Sequence, residues 1–281
     1  MAPTPIMLND DVIRIYIGGW DEKRISRIWY IDVSANNPAQ LIKVSDRPVL
    51  DIGDAGTFDD NGVFPGHVYK HKGKFFLYYT GFQLGHRVRY FNFGGLAVSD
   101  DGENFARVSK TPVLDRSDEG ISVRAGQSVI WENDRFKSCY SAGGSWMRVG
   151  GETRPVYDVY YQESLSATDW AKKGTKIIEC NPSVEHGLGR PQLVKAHEKY
   201  YVFYTRRMLD MKYHMGAAIS NDCISWHRVD HQVAVAHNKK GFDDEMVYFP
   251  SVLEREGRFY LFYSGNSFGE GGLGYISINI F

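Results

Sequence analysis

Five tyrosines recur along the chain at nearly constant spacing, and this period constrains the fold more than any other feature. Tyr16, Tyr79, Tyr140, Tyr204 and Tyr263 lie 63, 61, 64 and 59 residues apart. Each ends a short β-rich run and opens a turn, as in Tyr79-Thr80-Gly81 and Tyr263-Ser264-Gly265. A fixed period marks a repeat architecture. This one is long for a propeller repeat, which suits four-stranded units with extended loops.

Further landmarks recur in phase with the tyrosines. Upstream stand Pro65-Gly66-His67-Val68, Gly126-Gln127-Ser128-Val129, Pro191-Gln192-Leu193-Val194 and Pro250-Ser251-Val252-Leu253. Downstream stand Gly95-Leu96-Ala97-Val98, Val159-Tyr160-Tyr161-Gln162, Gly216-Ala217-Ala218-Ile219 and Leu273-Gly274-Tyr275-Ile276, with Arg27-Ile28-Trp29-Tyr30 in the first unit. Asp, Asn and Gly turns followed by Phe105, Trp170 and Trp226 then read as hairpins. No stretch carries a 3.6-residue apolar period. The pattern predicts an all-β chain, a five-bladed β-propeller of four-stranded antiparallel blades, because small sheets that cannot bury a core alone protect their edges by radial packing. Residues 1–281 form one domain on this reading, with blades at about 11–63, 64–124, 125–189, 190–248 and 249–281. The last unit lacks a fourth strand. Pro5-Ile6-Met7-Leu8 either leads the first unit or completes the last.

Composition narrows the function classes. Lys plus Arg is 33 against 34 Asp plus Glu, so the basic footprint of a nucleic-acid binder is absent. No apolar run is long enough for a membrane helix, and no signal-peptide pattern opens the chain, so a cytoplasmic location without membrane insertion is expected. Cys139, Cys180 and Cys223 are odd in number and widely spaced, reading as free thiols in a reducing compartment. Neither a metal site nor a cofactor is expected. Gly265-Asn266-Ser267-Phe268-Gly269 and Gly269-Glu270-Gly271-Gly272-Leu273-Gly274 match a nucleophile-elbow and a dinucleotide pattern, but a strand follows where each needs a helix.

In a propeller the loops entering the innermost strands converge on one mouth of the axis. Here they contain Phe58-Asp59-Asp60, Asp118-Glu119, Glu185-His186 and Phe242-Asp243-Asp244-Glu245. Counting back from the proline pairs Asp60 with Glu245; anchoring on Phe-Asp-Asp pairs Asp60 with Asp244. Opposed carboxylates suit glycosyl chemistry, one protonating the leaving oxygen and the other activating water or an acceptor hydroxyl. The same acids also suit turn capping. Arg124, Arg190, Arg206 and Arg207 could bind an anionic sugar or phosphate, or neutralise the acids. Gln127, His186 and Asn266 join them as binding candidates, and Trp20, Trp146 and Phe268 could stack on sugar rings.

These features resemble a known group. Residues 56–65 (Gly-Thr-Phe-Asp-Asp-Asn-Gly-Val-Phe-Pro), Lys74 to Gly81, residues 243–250 (Asp-Asp-Glu-Met-Val-Tyr-Phe-Pro) and Tyr263-Ser264-Gly265-Asn266 are similar to five-bladed propeller glycosidases. The group comprises glycoside hydrolase families 32, 43 and 68 and the family 130 mannoside phosphorylases. The resemblance implies an axial acidic pocket. It departs where many members carry an aspartate just before the strand-leading proline, because Phe64, Arg190 and Phe249 stand there. The expected function is cleavage or transfer of a glycosyl group, with Glu245 as acid, Asp60 as base, and Asp59 or Asp244 tuning them. The alternatives are a glycosyltransferase or phosphorylase whose arginines hold a sugar-phosphate, and a non-catalytic glycan-binding propeller.

Overall fold

The structure, a computed structural model, describes residues 1–233 and 240–280. Within them the chain is almost wholly β, with one helical turn, α1 (Asn266–Gly269), and a 3-10 turn at Asp230–Val233. The strands follow one another in antiparallel groups. The first holds β1 (Thr4–Asn9), β2 (Val12–Trp20), β3 (Ser26–Ser34) and β4 (Leu41–Val44). The second holds β5 (Val63–His71), β6 (Lys74–Leu84), β7 (Tyr90–Ser99) and β8 (Ala106–Arg107). The third holds β9 (Val123–Glu132), β10 (Arg135–Val149), β11 (Glu152–Ser164) and β12 (Thr175–Ile178). The fourth holds β13 (Glu185–Ala196), β14 (Lys199–Met208), β15 (Tyr213–Ser220) and β16 (Trp226–Arg228). The last described group is β17 (Tyr248–Arg255), β18 (Arg258–Ser264) and β19 (Leu273–Ile278). Short parallel bridges, Asn92 to Val123 and Tyr157 to Gly187, join the middle groups into one 12-stranded sheet. Thr4 faces Tyr16 across β1 and β2, so the N-terminal segment leads the first group.

The apolar core lies between successive groups. Tyr16, Ile28 and Tyr30 pack with Val68, Leu77 and Tyr79. Tyr78 and Leu96 pack with Val129 and Tyr140. Cys139 and Val159 pack with Leu193 and Val202, and Phe203 and Ala217 with Val252 and Leu261. Ile13, Ile15 and Val33 then pack with Phe262, so the last group meets the first. Each fully buried aromatic or aliphatic side chain stabilises the packing by roughly 1.5–3 kcal/mol.

The repeated tyrosines hold these layers through their hydroxyls. Tyr79 donates to Asp59 at 3.0 Å, Tyr140 to Glu119 at 2.7 Å, Tyr204 to Asp230 at 2.6 Å and Tyr263 to Asp243 at 2.8 Å. Tyr16 donates to the Gly102 carbonyl at 2.7 Å. Arginines bind three of these acids in turn: Arg107 to Asp59 at 2.7 Å, Arg124 to Glu119 at 2.9 Å and Arg228 to Asp230 at 2.6 Å. The downstream glycines have the same cause. A Cβ at Gly95, Gly216 or Gly274 would stand 2.2, 2.4 or 2.5 Å from the ring of Tyr79, Tyr204 or Tyr263, so only glycine lets the ring lie flat across the neighbouring strand.

The leading strands β5, β9, β13 and β17 are each bulged near the same point, between Pro65 and His67, Ala125 and Ser128, Gly189 and Gln192, and Tyr248 and Ser251. Arg190 and Phe249 take φ of 49° and 54° there, a conformation costly for residues with a Cβ. Such strained positions are held by the surrounding fold and cluster at functional sites. The bulge turns Arg190 across the interior. Its guanidinium donates to the carbonyls of Pro65, Pro250 and Pro3 at 3.1, 3.3 and 2.9 Å and to the Thr4 hydroxyl at 2.6 Å. One side chain thus ties β13 to three other groups.

Candidate functional site

The antiparallel pairing of Val63 with Gly81, Gly187 with Arg207 and Tyr248 with Ser264 brings two kinds of segment to one face. These are the starts of the leading strands and the hairpins that follow β6, β14 and β18. An aromatic arc crosses this face. Trp146 meets Tyr90 at 5.8 Å between ring centroids, Tyr90 meets Phe82 at 6.0 Å and Phe82 meets Phe64 at 6.4 Å. Phe64 then meets Phe249 at 5.2 Å, Phe249 meets Tyr248 at 4.7 Å, and Phe268 joins Tyr248 to Trp20 at 6.1 and 5.8 Å. The first, second, third and last strand groups all contribute to it. The strained Phe249 is central, so the position before the leading proline supplies an aromatic wall.

Arg207, from the fourth group, lies within the arc. Its guanidinium stands 5.5 Å from the Tyr157 ring and 5.0 Å from the Tyr213 ring, and Nη1 reaches the Tyr90 hydroxyl at 3.5 Å. No carboxylate pairs with it among the described residues. Tyr213 in turn packs edge-on against Tyr248 at 5.4 Å. The Tyr248 hydroxyl is fully buried and has no hydrogen-bond partner among the described residues.

The acids expected to carry chemistry differ in their surroundings. Asp59 and Asp243 are both 1% exposed and accept from Tyr79 and Tyr263. Asp60 accepts from the Gly56 amide at 2.8 Å and Asn61 Nδ2 at 2.9 Å, a turn-capping geometry. Asp244 accepts from Asn266 Nδ2 at 2.7 Å. Asn266 also accepts from the Glu245 and Met246 amides at 3.0 and 2.9 Å, so it clips the loop shut. Glu245 itself is exposed.

The other expected arginines are engaged within the protein. Arg124 is 2% exposed and spends its donors on Glu119 and on the Asp115 and Ala171 carbonyls. Arg190 is 4% exposed, and burial pulls its pKa down to about 9. Both therefore depart from the expected ligand contact at the mouth, because buried guanidinium groups require partners and the backbone supplies them. Arg206 binds Glu185 at 2.8 Å. Burial opposes the Glu185 charge, but Arg228, the Asn181 amide and Arg206 overcome it and hold the pKa low. His186 is 1% exposed with Nδ1 3.0 Å from the Pro155 carbonyl, and burial pushes its pKa down to about 4. Gln127 is 1% exposed, and neither end of its amide has a partner among the described residues. Trp20, Trp146 and Phe268 are the expected residues that the fold brings to the aromatic face. An open cavity of about 360 Å³ lies elsewhere, beside Asp54, Thr57, Asp59, Arg107 and Lys110.

Tyr90, Tyr157, Tyr213 and Tyr248 were not among the expected residues, and Arg207 was expected only together with Arg206. Strand alternation carried a signal for Arg207: side chains two apart share a face. Arg206 therefore lies with Tyr204, beside Asp230 and Glu185, and Arg207 points the other way.

No family model matches the chain. It is 26% identical over 272 residues to Uncharacterized protein Rv1502 of Mycobacterium tuberculosis (strain ATCC 25618 / H37Rv), covering 97% of this chain and 90% of that one. A thermostable family-43 glycoside hydrolase superimposes with a TM-score of 0.74 at 13% identity, covering 99% of this chain and 89% of the other. The endo-arabinase from Bacteroides thetaiotaomicron VPI-5482 superimposes with a TM-score of 0.70 at 12% identity, covering 100% and 93%. The structural neighbours are glycoside hydrolases, and the chain shares their all-β fold over nearly its whole length.

Proposed function

We propose that the five strand groups are the blades of one propeller domain and that the protein is carbohydrate-active, engaging a glycan at the aromatic face. The observation that carries this reading is the arc from Trp146 through Tyr90, Phe249 and Phe268 to Trp20, with Trp20 and Trp146 only partly buried. Flat apolar rings with polar tips suit the C–H faces and hydroxyls of sugars. Saturation-transfer NMR and calorimetry against a panel of oligosaccharides test it. Trp20→Ala and Trp146→Ala should each weaken binding about three- to tenfold, the scale of one aromatic contact. A folded protein that bound no glycan in the panel would refute the reading.

A second reading adds glycosyl cleavage or transfer at the same face, and Glu245 favours it. Its carboxylate has no partner among the described residues, whereas Asp59, Asp60, Asp243 and Asp244 are all engaged. Glu245 would act with Asp60. Burial among other acids, which acid catalysis near neutral pH needs, is missing from its surroundings. Product analysis with aryl glycosides, sugar 1-phosphates and sugar nucleotides tests this. Turnover that survives Glu245→Gln unchanged would remove Glu245 from the chemistry.

A further inference from the structure

We infer that Arg207 and the phenols around it form an oxyanion site, so that the mouth selects a sugar bearing a carboxylate or phosphoryl group. The sugar part of this inference rests on the proposed function; the oxyanion part stands on the geometry alone. A guanidinium is planar and always charged, and it matches the oxygens of a carboxylate or phosphate. In this protein Arg124 and Arg190 have their donors taken by protein acceptors, and Arg206 is paired with the carboxylates of Glu185 and Asp230. Arg207 has only the Tyr90 hydroxyl at 3.5 Å and the faces of Tyr157 and Tyr213 among the described residues.

The second observation is Tyr248. A buried hydroxyl without a partner is costly and needs a reason. It lies beside Tyr213, and Arg207 acts electrostatically upon it: burial raises the Tyr248 phenol while Arg207 pulls it back. A bound oxyanion would take this donor together with those of Arg207. The third observation is the sign of the interior. Arg190 carries a second guanidinium with no carboxylate partner among the described residues, and its charge adds to burial in pushing His67 down to about 3. Positive charge without a carboxylate partner attracts anions.

The experiment compares wild type, Arg207→Gln, Arg207→Lys and Tyr248→Phe. Thermal melts are run in sodium sulfate and in sodium chloride at equal ionic strength. Binding is then measured for glucuronic acid, galacturonic acid, glucose 1-phosphate and their neutral parent sugars. Sulfate should raise the wild-type melting temperature by a few degrees, as any ligand of the native state does. Arg207→Gln should abolish that rise, Arg207→Lys should keep part of it, and Tyr248→Phe should weaken it without lowering the melting temperature in chloride. At least one acidic sugar should bind about tenfold or more tighter than its neutral parent, and Arg207→Gln should erase the difference. The uronate and phosphate arms identify which group is carried. A sulfate effect that is absent, or is unchanged in Arg207→Gln, overturns the oxyanion site even if neutral glycans bind. An Arg207-dependent sulfate effect with no sugar binding leaves the site standing and overturns its assignment to a sugar.

Discussion

Arg190 and Arg207 both stand without a carboxylate partner among the described residues, yet their surroundings differ. Around Arg190 three carbonyls and a hydroxyl converge from other strand groups. Around Arg207 there are ring faces and one distant hydroxyl. The first arrangement satisfies hydrogen-bond donors and joins strands. The second leaves guanidinium donors without a close acceptor among the described residues. Charge and burial alone therefore do not separate a structural arginine from a binding one; the inventory of acceptors does.

The comparison makes an unequal pair of predictions. Arg190→Met should cost about 3 kcal/mol or more, because carbonyls of three segments lose their donor inside the protein. Arg207→Met should change stability by no more than about 1 kcal/mol, since it breaks no strong internal bond. Urea titrations of the two variants measure both. Similar losses would erase the distinction between the two sites.

The two acids of the first Phe-Asp-Asp loop should divide in the same way. Asp59 is buried with Tyr79, Thr57 and Arg107 around it, so Asp59→Asn should cost about 2 kcal/mol through the weakened charge-assisted bonds. Asp60 sits at the edge of the loop, and Asp60→Asn should cost roughly 0.5 kcal/mol. A larger loss for Asp60 would mean that it supports the fold in a way its two loop hydrogen bonds do not explain.

The smallest effect is a change in the titration of one ring. Buried His186 has its pKa lowered from 6.5 to about 4, by burial first and by Arg207 and Arg154 in part. The unfolded chain therefore takes up this proton before the folded one does. The contribution of His186 is complete above pH 6.5 and shrinks as pH falls toward 4, at up to about 1.4 kcal/mol per pH unit. Arg207→Gln removes one positive neighbour, so it should raise the His186 pKa and soften that loss. NMR titration of the His186 ring checks the direction, and a downward move would show that Arg207 does not act there.

Much of the fold was legible because its causes are local and repeated. A tyrosine, the glycine beneath its ring and the acid at its hydroxyl recur together, so Tyr79 with Gly95 and Asp59 mirrors Tyr263 with Gly274 and Asp243. Of the two alignments of the acidic loops, the structure follows the Phe-Asp-Asp anchor. Phe58 stacks on Tyr79 at 5.9 Å and Phe242 on Tyr263 at 6.0 Å, and Asp60 and Asp244 each take an asparagine amide. The site was less legible. Whether an acid faces the mouth or a tyrosine depends on partners tens of residues away, as with Glu119 and Tyr140. Arg124 and Arg190 were conspicuous in the sequence for their positions, but long-range contacts to carbonyls absorb them. Those carbonyls belong to every residue type and leave no mark in composition.

The reach of Arg190 also has a consequence for how the chain is made. Its bond to Pro3 spans 187 residues, its bond to Pro65 spans 125, and its bond to Pro250 waits for a segment 60 residues further on. A ribosome delivers these partners in order, so the early groups can assemble while the last acceptor is still unsynthesised. Until Pro250 arrives, the nascent chain must hold a guanidinium that is only partly satisfied. Contacts so distant in sequence are slow to form because loop closure precedes their reward. A chain that ended before Pro250 would therefore leave Arg190 short of one acceptor, and the last group would meet that open donor when it docked.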